Sequence, residues 1–209
     1  MLRNVSGGGR LKPIVVSASL VAMIAGGTAD EGKGWGERLA GNQEKIQQRL
    51  SKPEMKDLEA RSFSMKPIGI FHSPLTPETG APRQGRLAPE IKAVIEILPK
   101  YEACLEGLER MSHIYVLFAF DRSRGWNPKV TPPSTGVQRG LFSTRSPSRP
   151  NPIGLTVVRL ERVEGRRLYV SGVDAFDQTP VLDIKPYVSS IDGFTDAEMK
   201  AEKELGLDP

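Results

Sequence analysis

Short apolar runs separated by glycine- and proline-rich loops are the feature that most restricts the fold of this chain. Residues 91–98 alternate apolar and polar side chains with a period of two, which is typical of a strand with one buried face. Residues 155–163 and 167–173 flank the segment Glu164-Gly165-Arg166, and this arrangement predicts a β-hairpin. Many short strands predict a mainly β fold, a β-barrel-like, curved mixed sheet with a few short helices. Further strands are predicted at residues 68–71, 114–120, 141–144 and 181–184.

Three details of this pattern carry further predictions. The continuous apolar run at 114–120 predicts a strand that is buried on both faces. Residues 101–110 predict a short helix, with Cys104 as a small buried hydrophobe. The glycine triplet at residues 7–9 follows no strand-like run, so the chain lacks the βαβ fingerprint of a Rossmann fold.

The organisation of the chain is predicted as three parts. Residues 1–64 are expected to be an N-terminal extension, either disordered or the product of a misassigned start codon, because Met65 directly precedes the first strand. The basic start and the apolar run at 14–24 also resemble an export signal. That run is too short and too rich in small residues for a membrane span. Residues 65–192 form the β domain, and residues 193–209 a C-terminal helix, centred on 196–205; a helix is also predicted at 53–60.

Charge and cysteine content exclude some functions and leave others open. The formal net charge of +4 is compatible with an RNA partner and equally with a basic enzyme that binds none. A single cysteine permits no intrachain disulfide. His72 and His113 are the only histidines, so no Cys/His zinc site and no metal are predicted.

A rigid arginine-rich segment spans residues 139–155. Prolines on both sides of Asn151, followed by Gly154, stiffen a sharp turn. Arg139, Arg145 and Arg149 concentrate positive charge there, and guanidinium groups pair bidentately with carboxylates or phosphates. A binding loop and a turn with solvated arginines are equally compatible with this pattern.

A second polar segment follows the predicted hairpin, at residues 174–187. Carboxylates at a strand end can bind hydroxyl or amino groups, although Asp177 is also placed to cap its own loop. Asp183 lies within an apolar run, and a buried carboxylate there would need a partner such as Lys185.

Two further loops give weaker signals. Residues 80–86 present backbone groups and arginine between two strands. Residues 122–129 combine Arg122 and Arg124 with Trp126, a combination that suits single-stranded RNA. We expect Trp126 instead to belong to the core.

Together and in this order, these segments resemble the TsaA/TrmO-like family, also called YaeB-like, over residues 66–192. The most specific matches are the stretch from Thr144-Arg145-Ser146 through Arg149-Pro150-Asn151-Pro152-Ile153-Gly154, and the stretch from Asp174 through Tyr187. The resemblance implies a barrel-like fold and S-adenosylmethionine as methyl donor. It also implies a homodimer, and tRNA as the substrate, methylated on N6 of a threonylcarbamoylated adenosine 3′ of the anticodon.

The resemblance also implies roles for individual residues. The cofactor contacts that it implies are Pro82, Arg83, Gln84, Asp121, Arg122, Arg145, Leu155, Asp174, Ala175, Phe176 and Asp177.

The chemistry of such a methyl transfer, rather than the resemblance, adds two further expectations. Arg139, Arg149 and Lys185 would bind the threonyl carboxylate or phosphates of the substrate. Asp183 and Tyr187 are the expected catalytic residues, with His113 and Asp177 as other candidates to accept the N6 proton.

Several alternatives stay open at this point. One is a methyltransferase of the same fold with a small-molecule acceptor. Larger relatives carry a second C-terminal domain that can help to hold tRNA, whereas here only one predicted helix follows the β domain. Another is a non-catalytic module that binds the cofactor, and a third is an exported protein. The expected location is cytoplasmic, where the cofactor is found.

Overall fold

The described part of the chain is dominated by short strands joined by loops. In the computed structural model, residues 45–46 and 61–193 are described. The chain divides into two units, residues 1–62 and 63–209, and the strands all belong to the second. The strands are β1 (Gly69–His72), β2 (Lys92–Ile97), β3 (His113–Ala119), β4 (Lys129–Val130), β5 (Arg139–Gly140), β6 (Ile153–Glu164), β7 (Arg167–Ser171) and β8 (Pro180–Pro186).

Six of these strands close into a barrel in the order β1-β2-β7-β6-β3-β8, with β8 paired back to β1. The mainly β, non-Rossmann fold expected from the sequence is confirmed. The expectation of a mixed sheet is wrong, because every strand pair within the described residues is antiparallel. Strands β4 and β5 form a separate two-stranded sheet. Closure leaves no unpaired edge in the barrel, and the connecting loops are therefore free to build a site.

The core fills the barrel with side chains from alternate strand positions. In β2, Ala93, Ile95 and Ile97 point inward, as the period of two predicts. The longer apolar run of β3 also alternates: Ile114, Val116 and Phe118 are buried, whereas the positions between them are only half-buried. The prediction that this strand is buried on both faces is therefore wrong, and its second face lies on the outside of the barrel.

The predicted hairpin joins β6 to β7. Gly165 adopts φ +55°, a left-handed conformation that suits glycine in a tight turn. The pairing register shifts between Leu160 and Arg162, so Glu161 forms a β-bulge on the longer strand. All four ends of the two strands agree with the sequence prediction to within two residues.

Three local predictions are corrected. The helix predicted at 101–110 consists of two 3-10 segments, Pro99–Leu105 and Leu108–Arg110, separated by Gly107 at φ +83°. Cys104 on the first of them is exposed. The strand predicted at 141–144 is a 3-10 turn, Leu141–Ser143. Its Ser143 hydroxyl donates to the backbone carbonyl of Gly140, three residues earlier, which competes with strand pairing.

Trp126 is 52% exposed, so its assignment to the core is also wrong. A single α-helical turn, Ser189–Asp192, follows β8. The helices predicted at 53–60 and 196–205 lie outside the described residues. Within the described ranges, no helix is long and apolar enough to cross a bilayer.

Candidate functional site

A cleft of about 1550 Å³ lies where three loops meet the outer surface of β3 and β6. The loops contribute residues 81–86, 121–124 and 144–149. Single small-molecule sites have volumes of about 300–1,000 Å³. The cleft therefore has room for a cofactor-sized ligand and for part of a second molecule.

Two glycines bring the first loop against the end of β7. A Cβ atom on Gly85 would lie 2.0 Å from the carbonyl oxygen of Gly172, so only glycine permits this approach. Gly172 itself adopts φ +74°. The contact fixes the neighbouring Arg83 and Gln84 at the rim of the cleft.

Asp174 is the buried carboxyl group of the cleft. Its Oδ2 accepts a hydrogen bond from the Gly85 backbone N–H at 3.1 Å. Its Oδ1 is buried without a hydrogen-bond partner among the described residues. Burial raises the pKa of Asp174, and hydrogen bonding with Thr156 and Gly85 and the charge of Arg145 oppose that rise. An unpartnered buried oxygen is costly, so this atom is suited to receive a donor from a ligand.

The arginine-rich segment supplies the opposite wall. The guanidinium of Arg145 donates to the side-chain carbonyl of Gln84 and thereby joins two of the three loops. Arg149 donates to the backbone carbonyl of Thr144 at 3.0 Å and lies over the ring of Phe142, 5.5 Å from its centroid. These bonds make the loop a shaped wall rather than a solvated turn.

Gly154 anchors the end of the same segment. A Cβ atom there would lie 2.3 Å from the ring of Phe118. The backbone therefore passes directly over a core aromatic ring as it enters β6. Glycine at this position lets the rigid turn lie flat against the barrel.

The third wall contains Arg122 and Phe176. Arg122 donates to the backbone carbonyl of Asp177 at 2.8 Å, and its guanidinium lies 5.9 Å from the centroid of the Phe176 ring. The Asp177 carboxylate accepts from the Ser73 N–H at 3.0 Å. Asp177 thus closes its own loop, as its sequence position suggested, and it does not line the cleft.

A group of aromatic side chains marks the other end of the cleft. The Tyr187 ring lies 5.4 Å from that of Tyr115 and 6.4 Å from that of His113. Tyr115 and Thr156 also line the cleft, and neither was predicted from the sequence. The residues on either side of Tyr115 in β3 are apolar. The sequence therefore shows no alternation from which the outward position of Tyr115 could be predicted.

The structure brings most of the sequence-predicted residues to this cleft but not all. Asp183, Lys185, Asp177 and Arg139 are absent from its lining. Asp183 is half-exposed and pairs with Lys185 at 2.8 Å, so the expectation that it is buried is wrong. The predicted residues that line the cleft are Pro82, Arg83, Gln84, His113, Asp121, Arg122, Arg145, Arg149, Leu155, Asp174, Ala175, Phe176 and Tyr187.

Positive charge dominates the cleft. Seven arginines and three carboxylates line it: Arg83, Arg86, Arg122, Arg124, Arg145, Arg149 and Arg159 against Asp121, Glu161 and Asp174. Within the described residues, Arg159 is the only one of these seven in a salt bridge, with Glu161 at 3.5 Å. Such a surface attracts anionic ligands and polyanions.

Comparison with known families decides the classification of the chain. The family described as tRNA-methyltransferase O N-terminal domain matches residues 70–193, which include all of the barrel except Gly69 and every wall of the cleft. The chain belongs to this family.

Individual relatives agree with that assignment. The tRNA (adenine(37)-N6)-methyltransferase of Mus musculus is 45% identical over 142 residues, which cover 65% of this chain and 33% of the mouse protein. An S-adenosyl-L-methionine-binding protein of Archaeoglobus fulgidus is 45% identical over 128 residues, covering 61% of this chain and 91% of the relative. The crystal structure of TrmO from Pseudomonas aeruginosa superimposes with a TM-score of 0.56 at 42% identity, covering 66% of this chain and 62% of that one. The chain thus spans a third of the mouse protein and about three fifths of the crystallised one.

Proposed function

We propose that this protein is an S-adenosylmethionine-dependent methyltransferase that modifies N6 of an adenosine in tRNA. The proposal rests on one observation: a strongly positive cleft contains a buried carboxylate oxygen, Oδ1 of Asp174, that has no hydrogen-bond partner among the described residues. That oxygen suits a ligand with an amino or hydroxyl group, and the positive charge suits a polyanion. The names of the relatives point to the same cofactor and the same substrate.

The residues of the cleft fit S-adenosylmethionine, which supplies a methyl group on a positively charged sulfur. The unpartnered oxygen of Asp174 would accept from its amino group or a ribose hydroxyl. Arg83 and Arg145 would bind its carboxylate. Leu155, which is 57% exposed, and Phe176 would cover apolar parts of the adenine. Pro82, Gln84, Asp121, Arg122 and Ala175 would complete the binding site.

Alignment of donor and acceptor is the main task of such an enzyme, and it can lower a barrier by several kcal/mol. The chain must also receive the proton that leaves N6. Of the two predicted catalytic residues, Tyr187 lies in the cleft and Asp183 does not, so we assign the proton-accepting hydrogen bond to Tyr187. The Tyr187 hydroxyl would give up its own proton as it accepts the one from N6, and the imidazole of His113, whose ring centroid lies 6.4 Å from that of Tyr187, would receive it.

The RNA would be bound by arginines that have no carboxylate partner. Arg86 and Arg124 line the cleft and take part in no salt bridge among the described residues. Each is suited to pair with a phosphate. Arg149 would bind the threonyl carboxylate of a threonylcarbamoylated adenosine, and Arg139 and Lys185 would contact the RNA outside the cleft. Since both reactants are cytoplasmic, we place the protein there.

A second copy of the chain would cover the rim of the cleft. Phe142, which lies against Arg149, is 78% exposed, and Ile153 and Leu155 at the start of β6 are 37% and 57% exposed. Exposed apolar groups around a site are typical of a subunit contact. Light scattering during gel filtration tests this homodimer, because Phe142→Asp should give a monomer if the contact exists.

A methylation assay with labelled S-adenosylmethionine tests the reaction. The full chain would be incubated with total tRNA from cells with and without the threonylcarbamoyl modification. Label confined to tRNA with the modification would establish both reaction and substrate. Label in both pools would restrict the proposal to an adenosine methyltransferase. Cofactor binding without label in either pool would contradict a tRNA substrate and favour a small-molecule acceptor.

A further inference from the structure

Tyr115 lines the cleft and has no part in the chemistry assigned so far. It lies on the outer face of β3, between the buried Ile114 and Val116. Its ring is in edge-to-face contact with Tyr187, at an interplanar angle of 61°. The two rings therefore present a fixed aromatic surface to the cleft rather than two independent side chains.

The neighbours of Tyr115 across the sheet connect it to the proposed substrate site. Val157 on β6 and Lys185 on β8 are directly opposite it in register. Leu155 lies two residues from Val157 on the same outer face, which corresponds to about 7 Å along the strand. The aromatic surface is thus adjacent to a residue that we assign to the cofactor, with a cation on its other side.

The phenol of Tyr115 is poorly suited to acid–base chemistry. Its burial, followed by the charge of Asp192 and the neighbouring Tyr187, raises its pKa, so the group stays neutral at physiological pH. No hydrogen bond of its hydroxyl is present among the described residues. What Tyr115 offers to a ligand is the surface of its ring.

We propose that Tyr115, held by Tyr187, is the platform on which the acceptor adenine stacks. The inference rests on the proposed function and names the residue that orients the acceptor base. Stacking on an aromatic side chain is how proteins bind unpaired bases of RNA loops. A base that has left its stack is placed with its edge free, and here that edge would lie between Leu155 and the hydroxyl of Tyr187. Lys185, on the neighbouring strand, would bind the adjoining phosphate.

Binding of a synthetic anticodon stem–loop RNA, followed by fluorescence anisotropy, tests this platform. Two RNAs are used: one with adenosine at the target position and one with an abasic nucleotide there. Tyr115→Leu should weaken binding of the first RNA about tenfold and leave binding of the abasic RNA unchanged. Tyr115→Phe, which keeps the ring, should bind both RNAs within about twofold of wild type.

The matched control is Tyr169→Leu. Tyr169 is also half-buried on the outer face of the barrel, where Arg162 lies 3.3 Å from its ring centroid, and it does not line the cleft. This variant should bind both RNAs like wild type. S-adenosylmethionine binding, measured by calorimetry, should be unchanged in Tyr115→Leu, and this shows that the variant is folded. Tyr187→Leu, which removes the ring that holds Tyr115, provides a second test on the same two RNAs.

Several results would overturn the platform. One is that Tyr115→Leu loses the same amount of affinity for both RNAs, or loses none for either. Another is that Tyr115→Phe binds the adenosine-containing RNA as weakly as Tyr115→Leu does. A change of oligomeric state in Tyr115→Leu would reassign the ring to a subunit contact. If wild type methylates the RNA and Tyr115→Leu does so with the same kcat/KM, this inference alone fails. If wild type neither binds nor methylates any tRNA, the proposed function fails with it.

Discussion

Replacement of Asp174 should separate ligand binding from folding in one experiment. Its Oδ2 accepts a hydrogen bond from the Gly85 N–H, and its Oδ1 is buried with no hydrogen-bond partner among the described residues. Asp174→Asn keeps an oxygen for the Gly85 N–H but removes the negative charge. The loss of a hydrogen bond to a charged group is equivalent to about 1.5–3 kcal/mol. We therefore expect S-adenosylmethionine to bind about 10- to 150-fold more weakly.

The same substitution should leave stability unchanged or raise it. The variant retains the backbone contact and removes a carboxylate whose desolvation is only partly compensated. Isothermal calorimetry gives the dissociation constant, and urea unfolding gives the free energy of unfolding. An unchanged dissociation constant would remove Asp174 from the cofactor site. A large loss of stability with an unchanged m-value would show that the carboxylate is structural, and the reasoning from its unpartnered oxygen would be wrong.

Three further predictions follow from the same contacts. Because burial raises the pKa of Asp174, the folded state holds its proton more tightly than the unfolded state. The free energy of unfolding of the wild type, relative to that of Asp174→Asn, should therefore be greatest at pH values below the ordinary Asp pKa. It should fall as the pH rises through the raised pKa of Asp174, and urea unfolding at a series of pH values measures this. Gly85→Ala should destabilise the protein by about 1–3 kcal/mol and weaken cofactor binding, whereas Gly140→Ala, whose Cβ meets nothing within 4 Å, should change neither. Arg86→Ala should reduce the slope of the logarithm of the tRNA binding constant against the logarithm of the salt concentration by about 0.7–0.9. Cofactor affinity should stay unchanged. An unchanged slope would show that Arg86 contacts no phosphate.

The fold was predictable wherever a local pattern determines a local structure. The period of two in β2 and the glycine turn at Gly165 depend on neighbours in sequence, and both predictions were confirmed. The prediction at residues 141–144 failed because hydroxyl groups there bond to their own backbone, which a pattern of apolar residues does not reveal. In β3 an unbroken apolar run concealed which face is outside.

The site was predictable to a lesser extent, because its contacts join distant parts of the chain. The arginine-rich turn is visible in the sequence as a stiff and charged segment. The hydrogen bond between Gly85 and Asp174 joins residues 89 positions apart. The residues next to Asp174 in the sequence therefore do not indicate that one of its oxygens has no hydrogen-bond partner among the described residues. Asp183 was expected to be buried from its apolar neighbours, but a strand with one face outside places alternate residues in solvent.

The closed barrel has a consequence for how this protein can be altered. Its strands are paired on both sides, so the register of the barrel does not depend on the length or composition of the loops that surround the cleft. Changes of length or sequence at residues 121–152 should alter ligand binding in the cleft, including at Arg122 and Arg145, while the hydrogen-bonded barrel is preserved. Ligand recognition and the stability of the fold are therefore carried by different parts of this domain.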